Sequence, residues 1–410
     1  MSTPHSIGYK REMAPQTGAG DHRAALLAGY FGWTLDAFDY FLVVMCLTAI
    51  GREFHKTDEQ IAIATWATLA FRPIGAFLFG LMADRYGRRL PLMLDLVFYS
   101  ILQVLSGLAP SFTSFLALRA LFGIGMGGEW GIGAALALEK ASPKWRGVLS
   151  GFLQQGYAMG FLLASVAYNF VFPKFGWRPL FFIGGLPALL VIFVRMRVKE
   201  SEVWERKRHA TWGELRVAIL SHWKLMLYLM VFMMAMNLAA HGTQDMYPTF
   251  LLRQRGFTVS QRSLATAISM IGAIVGGTFF GLLSDRFGRR RSIVLALSAA
   301  IGAIPLWANS VPMAWVVFGA FLMQFMVQGA WGVIPAHLTE LSPDSLRGFL
   351  PGFGYQMGVL LASPVNYAEA AVARHTSYGA AMSVMAAAFF GMGIVAAALG
   401  KERRGVRFGE

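Results

Sequence analysis

The sequence predicts an all-α membrane protein with twelve transmembrane helices arranged as two pseudo-symmetric six-helix bundles. Three observations predict it. First, 56% of the 410 residues are hydrophobic and only 14% are charged, with mean hydropathy +0.52, whereas a soluble domain carries about a quarter charged residues. Second, several apolar stretches reach about 20 residues, the length that crosses a bilayer core as helix. Third, motifs of the first half recur in the second at a fixed offset, the mark of an internal repeat.

In chain order, a polar tail over residues 1–23 precedes spans at about 24–51, 60–83, 90–109, 113–138, 147–171 and 178–197. A polar connection at 198–221 (KESEVWERKRHATWGELRVAIL) has the composition for an amphipathic surface helix. Spans at about 222–250, 262–283, 291–309, 312–340, 348–371 and 377–400 follow, then a tail at 401–410. Twelve spans put both termini on one side, and that side holds about 26 of the 36 Lys and Arg residues. The positive-inside bias makes that side cytoplasmic, in a plasma or bacterial inner membrane. The net charge of +14 therefore records orientation among anionic lipids and argues against a nucleic-acid partner. The single cysteine, Cys46, lies in an apolar run and is expected to pack. No signal-peptide pattern opens the chain, and a functional monomer is expected.

GLMADRYGRR begins at Gly80 and GLLSDRFGRRR at Gly281, placing Asp84 and Asp285 at equivalent positions. The same offset relates Trp130-Gly131 to Trp331-Gly332, Glu139 to Glu340, and Arg146-Gly147 to Arg347-Gly348. Charges of this kind at a helix end can pair across the two halves or with a neighbouring helix dipole. The expected gate on that side comprises Asp84, Arg88, Glu139, Arg146, Asp285, Arg289, Glu340 and Arg347, with Glu139–Arg146 and Glu340–Arg347 completing it within each half. The repeated GxxxDRxGRR, with RALFGIGMGGEWG from Arg119 in span 4, resembles the signatures of the major facilitator superfamily of secondary transporters. That resemblance implies a midplane substrate site between two bundles that rock in alternating access.

The glycines of GIGMGGEWG suit close helix packing. No strand precedes them and no P-loop Lys-Ser/Thr follows, so a nucleotide loop is excluded. There is no HExxH and no Cys or His cluster with metal spacing, which leaves no metal, no cofactor and no enzyme chemistry to expect. Protons are the expected coupling ion.

Ionisable residues inside spans are costly and mark function. Span 1 carries Asp36 and Asp39, span 2 Arg72 beside Pro73, and span 4 Arg119 and Glu129. In span 7, NLAAHGTQDMYPT sets Asn237, His241 and Asp245 four residues apart, with Gln244 beside them, so the polar groups form one stripe. A helix end meeting water needs no such stripe; a cavity wall does. Pro248 marks a bend beyond it.

The same stretch resembles the NxxSHxSQDxxxT signature of lactate and pyruvate permeases in the sialate:proton symporter family. Asn237, His241, Thr243, Gln244, Asp245 and Thr249 match, while Ala240 replaces a Ser or Thr. LDAFDYF, FRPIGA and VQGAWGVIPAHL are similar to that family too, and YQMGV (Tyr355–Val359) resembles YQxGN with Val359 in place of Asn. The resemblance implies proton-coupled symport of a small monocarboxylate such as L-lactate or pyruvate, with Arg72 at a substrate-binding position.

Chemistry agrees on Arg72, whose guanidinium stays charged and offers a two-pronged fork to a carboxylate; its plainer role is an ion pair with Asp36 or Asp39. The expected mechanism has a buried acid competing with substrate for Arg72, so that protonation and anion loading go together. Asp245 with His241 is the first candidate for proton coupling, followed by Asp36, Asp39 and Glu129. Asn237, His241, Gln244, Gln356 and Tyr355 are expected to hold the substrate's polar groups, and Trp130, Phe38 and Trp331 to pack its apolar body. Aromatic acids, sialic acid or a dicarboxylate remain alternative cargoes, and a non-transporting carboxylate sensor a remote one.

Overall fold

The computed structural model describes residues 19–205 and 210–409. Most of the N-terminal tail, four residues of the central connection and the last residue lie outside them. Among the described residues, eleven stretches are long and apolar enough to cross a membrane. The remaining expected span, span 11, is broken: Leu350–Ala362 and Val365–His375 are separate helices, parted at Ser363-Pro364, where a proline would otherwise need an i−4 bond it cannot make. Span 7 breaks similarly after Gln244 and resumes at Tyr247 with Pro248 in its first turn. By contrast, span 2 (Asp58–Tyr86) runs unbroken through Pro73.

The two-fold repeat extends to helix ends. Thr57 caps span 2 and Thr258 caps span 8 (Val259–Phe287), each in a capping box with the glutamine three residues on. Each DRxGRR turn needs one glycine with positive φ, Gly87 at 95° and Gly288 at 102°, a backbone conformation only glycine adopts without strain. Within the first half, span 2 lies so close to span 4 (Phe112–Glu139) that a Cβ on Gly123 or Gly127 would collide with the carbonyls of Thr68 and Arg72. That contact seats Arg72 against the GIGMGG seam. In the second half Gly272 and Gly276 of span 8 lie equally close to the carbonyls of Phe321 and Phe325 in span 10 (Met313–Leu341).

Between halves, span 2 meets span 11, and span 5 (Arg146–Gln154 continued by Gly156–Phe175) meets span 8. A short helix at Trp212–Ser221 begins in a Thr211–Glu214 capping box and buries only Leu215, as a surface helix should. The connection is tied to the repeat: Trp204 Nε1 donates to the Asp84 carbonyl at 2.9 Å and Arg85 Nη1 to the Ala210 carbonyl at 2.8 Å. Cys46 is free and buried.

Candidate functional site

Both halves present their charged turns at one end, and there they interlock. Asp84 accepts from Gly348 N and Phe349 N at 2.7 and 3.0 Å. Its repeat partner Asp285 accepts from Gly147 N and Val148 N at 2.8 and 3.0 Å. Each carboxylate thus caps the N-terminus of a helix in the other half, where free N–H groups and the helix dipole favour an anion. Arg88 forks onto Glu139 at 2.8 and 3.3 Å, and Arg289 onto Glu340 at 3.0 and 2.9 Å.

One expectation is corrected here. Arg146 pairs with Glu340 at 3.0 Å, and Arg347 approaches Glu139 at 3.7 Å. Both contacts cross between halves, because Arg88 and Arg289 already occupy the carboxylates from within. All eight residues expected at the gate take part in these contacts, which join the two halves at this end. Two further elements had no sequence signal. Glu200 and Glu402 cap the backbone starts of spans 3 and 9, and the Phe408 ring lies 3.8 Å from both the Arg146 and Arg347 guanidiniums.

Deeper in, a cavity of about 70 Å³ lies between the halves, lined by Asp36, Tyr40 and Arg72 from one side and Asn237, His241, Gln244, Trp331 and Tyr355 from the other. Arg72 Nη2 donates to Asp36 Oδ2 at 3.0 Å, and both residues are buried. The pairing uses one edge of each group: Arg72 Nε and Asp36 Oδ1 have no partner. Of the span 7 stripe, Asn237, His241 and Gln244 line the cavity. His241 Nδ1 meets Asp245 Oδ2 at 3.1 Å, with both side chains about a third exposed; Asp245 stands behind His241 rather than on the cavity wall. Asn237 Nδ2 donates back to the Met233 carbonyl at 2.7 Å, and Gln244 Nε2 to Gln324 Oε1 at 2.6 Å.

Besides Asp245, five candidates lie away from the wall: Asp39, Glu129, Gln356, Phe38 and Trp130. Asp39 turns towards spans 3 and 6, accepting from Gln103 Nε2 at 3.4 Å beside Gly184. Three residues on a helix turn the side chain by about 60°, enough to bury Asp39 in its own bundle. Glu129 packs against Gly32, Gln356 is fully buried with both amide atoms unpartnered, and Phe38 joins the core of the first half. Trp130 contacts the cavity indirectly, its ring 4.7 Å from Tyr355. Arg119 is also withdrawn, buried with its guanidinium 4.1 Å from the Phe122 ring.

Two polar cavity residues carried no motif in the sequence, Tyr157 and Gln154, and Gln328 lies within VQGAWGVIPAHL without having been singled out. Glu369 was missed as well. It sits in the second piece of span 11, 1% exposed with both carboxyl oxygens unpartnered, and a Cβ on Gly242 would lie 3.2 Å from it. A lone Glu near a predicted span end reads as surface; only the helix break turns it inward.

Residues 24–213 and 222–402 match the family described as "Sugar (and other) transporter". The chain belongs to that family. It is a transporter of the major facilitator superfamily, not an enzyme. The xylose:proton symporter XylE shares the fold, with TM-score 0.76 at 19% identity over 96% of this chain and 99% of that one. Among relatives, the carboxylic acid transporter protein homolog of Saccharomyces cerevisiae is 29% identical over 372 residues, 84% of this chain. The chain spans only 60% of that relative's length. The probable 4-methylmuconolactone transporter of Cupriavidus pinatubonensis is 28% identical over 95% of this chain and 93% of its own. The sialic acid transporter NanX of Escherichia coli is 29% identical over 87% and 88%, in line with the resemblance to the sialate:proton symporters.

Proposed function

We propose that this transporter is a proton symporter of small monocarboxylates, L-lactate and pyruvate first among them. The observation that carries the reading is the buried Arg72–Asp36 pair on the cavity wall. An organic anion needs a cation there, and the only guanidinium among the lining residues is Arg72. Asp36 occupies it. When Asp36 takes up a proton the guanidinium is released, and a substrate carboxylate replaces the aspartate on the same fork. The empty pair and the loaded site, with neutral Asp36, then carry the same net charge. A carrier holding the proton alone has one unpaired buried cation, which is costly in this layer. Coupling follows from that difference.

His241 with Asp245 serves as the proton's entry on the opposite wall, and Asn237, Gln244 and Tyr355 receive the carbonyl or hydroxyl of the cargo. The cavity is smaller than the ~150 Å³ space that admits benzene, which favours a three-carbon acid over a sialic acid. The names of the carboxylic acid, muconolactone and sialic acid relatives all support an acidic cargo. The carrier works as a monomer in the inner membrane, its latch and both termini cytoplasmic, by rocking of the halves.

In proteoliposomes, an inwardly directed proton gradient is expected to drive [14C]L-lactate or pyruvate uptake against a concentration gradient. Asp36→Asn should leave the fork permanently free, keeping lactate-stabilised melting but losing accumulation. Accumulation that is indifferent to the proton gradient ends the symport reading. Gradient-driven uptake of nicotinate or muconate, with none of lactate, would keep the mechanism and change the cargo.

A further inference from the structure

Two fully buried carboxylic acids sit behind the cavity, inside the first half. Glu129 and Asp95 are each 0% exposed, and none of their four carboxyl oxygens has a hydrogen-bond partner among the described residues. Isolated carboxylates in such a place are expensive unless they carry a proton, and packing alone would be served better by leucine. Their placement is set by two close helix contacts. A Cβ on Gly125 of span 4 would lie 2.6 Å from Tyr99 Cβ of span 3 (Arg89–Gly107). The two helices are antiparallel, so one turn towards the latch from that contact leads to Glu129 on one and Asp95 on the other. Gly32 of span 1 has no Cβ because Glu129 Oε1 fills that space, and Asp36 lies one turn beyond Gly32, away from the latch. The charged and titratable groups facing the pair are Asp36 on span 1, Arg72 on span 2 and Tyr99 on span 3. Leu92, Leu96 and Val194 belong to the buried apolar cluster of the same half.

We propose that Glu129 and Asp95 are the latch-side leg of the proton route, separate from the substrate's path through the central crevice. This rests on the symport reading above. At rest both acids hold their protons. When the latch opens to water, Asp95, about 9 Å from the latch end of span 3, releases its proton, Glu129 passes its own to the Asp95 carboxylate, and the Asp36 carboxylic acid refills the Glu129 carboxylate and re-forms its pair with Arg72. Cargo and proton therefore leave by different doors, and the crevice can discharge its anion without exposing Asp36.

Two measurements test the route. In proteoliposomes loaded with L-lactate, Asp95→Asn should lose gradient-driven accumulation about tenfold more than it loses lactate exchange, with Asp95→Glu restoring accumulation. In infrared difference spectra between acid and alkaline conditions, wild type should show protonated-carboxyl C=O intensity that Asp95→Asn and Glu129→Gln each reduce. Full accumulation in Asp95→Asn, or equal loss of exchange and accumulation, overturns the route. A wild type that exchanges no lactate would count against the symport reading. The infrared bands would then decide for the carboxyl pair: their loss in both variants supports it, and their persistence ends it.

Discussion

The latch and the central cavity are built from the same repeat and obey opposite rules. At the latch the repeat charges come as twins: Asp84 and Asp285, Arg88 and Arg289, Glu139 and Glu340, Arg146 and Arg347 make corresponding contacts in the two halves, while Asp344, which also pairs with Arg347, has Pro143 as its counterpart. At the centre the twins are absent. Positions 201 residues after Asp39, Arg72, Asp95, Arg119 and Glu129 are all alanine (Ala240, Ala273, Ala296, Ala320 and Ala330), and Asp36 has Asn237 as its counterpart. The first half thus holds most of the buried central charge, while the second contributes amides, the His241–Asp245 pair and the buried Glu369. A latch has to serve two equivalent contacts, so symmetry suits it. A site for one anion and one proton needs a single cation and a single competing acid, and a second copy would bind a second charge.

Breaking the comparison at its asymmetric point should have the largest effect. Arg72 has no twin, so Arg72→Ala is expected to abolish lactate binding and exchange, a loss of about 3 kcal/mol or more, roughly a hundredfold. Isothermal titration and counterflow would measure it, and residual binding within a few-fold of wild type would place the anion elsewhere.

The latch should fail more gradually, because each half supports the other. Asp84→Ala leaves two helix-start N–H groups unpaired at a cost of about 1–3 kcal/mol. Asp84→Ala with Asp285→Ala should open that end by more than either alone. With Cys46→Ala and the buried interface residue Ser150→Cys as reporter, maleimide labelling should rise about tenfold for each aspartate removed. Labelling that rises for one aspartate and not the other would show that the two-fold similarity is one of geometry and not of energy.

The tail contact sharpens the same point on a smaller scale. Phe408 stacks on Arg146 and Arg347 together, so Phe408→Ala should raise Ser150→Cys labelling only by a few-fold, about 1 kcal/mol. Smallest of all is the Arg178–Glu53 pair at the far end, 2.6 Å long with both side chains more than a third exposed. Arg178→Ala, or 1 M salt, should change melting by less than about 1 kcal/mol. A large salt effect there would mean that the far end is also held by charge.

Much of this was legible in the chain. Hydropathy and length placed the spans, and the repeat located the eight paired charges at the latch, though not Glu200, Glu402 or Phe408. Helical spacing placed Asn237 and His241 on one wall with Gln244 beside them, but not Asp245, the third residue of that four-residue series. Spacing failed where a side chain's direction depends on neighbouring helices. Asp36 and Asp39 are nearly adjacent in sequence, yet one holds Arg72 and the other meets Gln103. Glu129 belongs to the same motif as Trp130, yet it turns to Gly32 while Trp130 reaches Tyr355.

By itself the sequence determined the membrane, the two halves, the eight-residue latch and the identity of the lone cavity arginine. These follow from local composition, helical period and an internal copy, none of which requires knowing how helices pack. Only the tertiary structure decided which acid Arg72 holds, that the latch arginines cross between halves, and that Asp95, Glu129 and Glu369 are sealed in without partners. Such facts depend on helix rotation and sub-ångström approach at glycine seams, and those are set by all the neighbouring surfaces together.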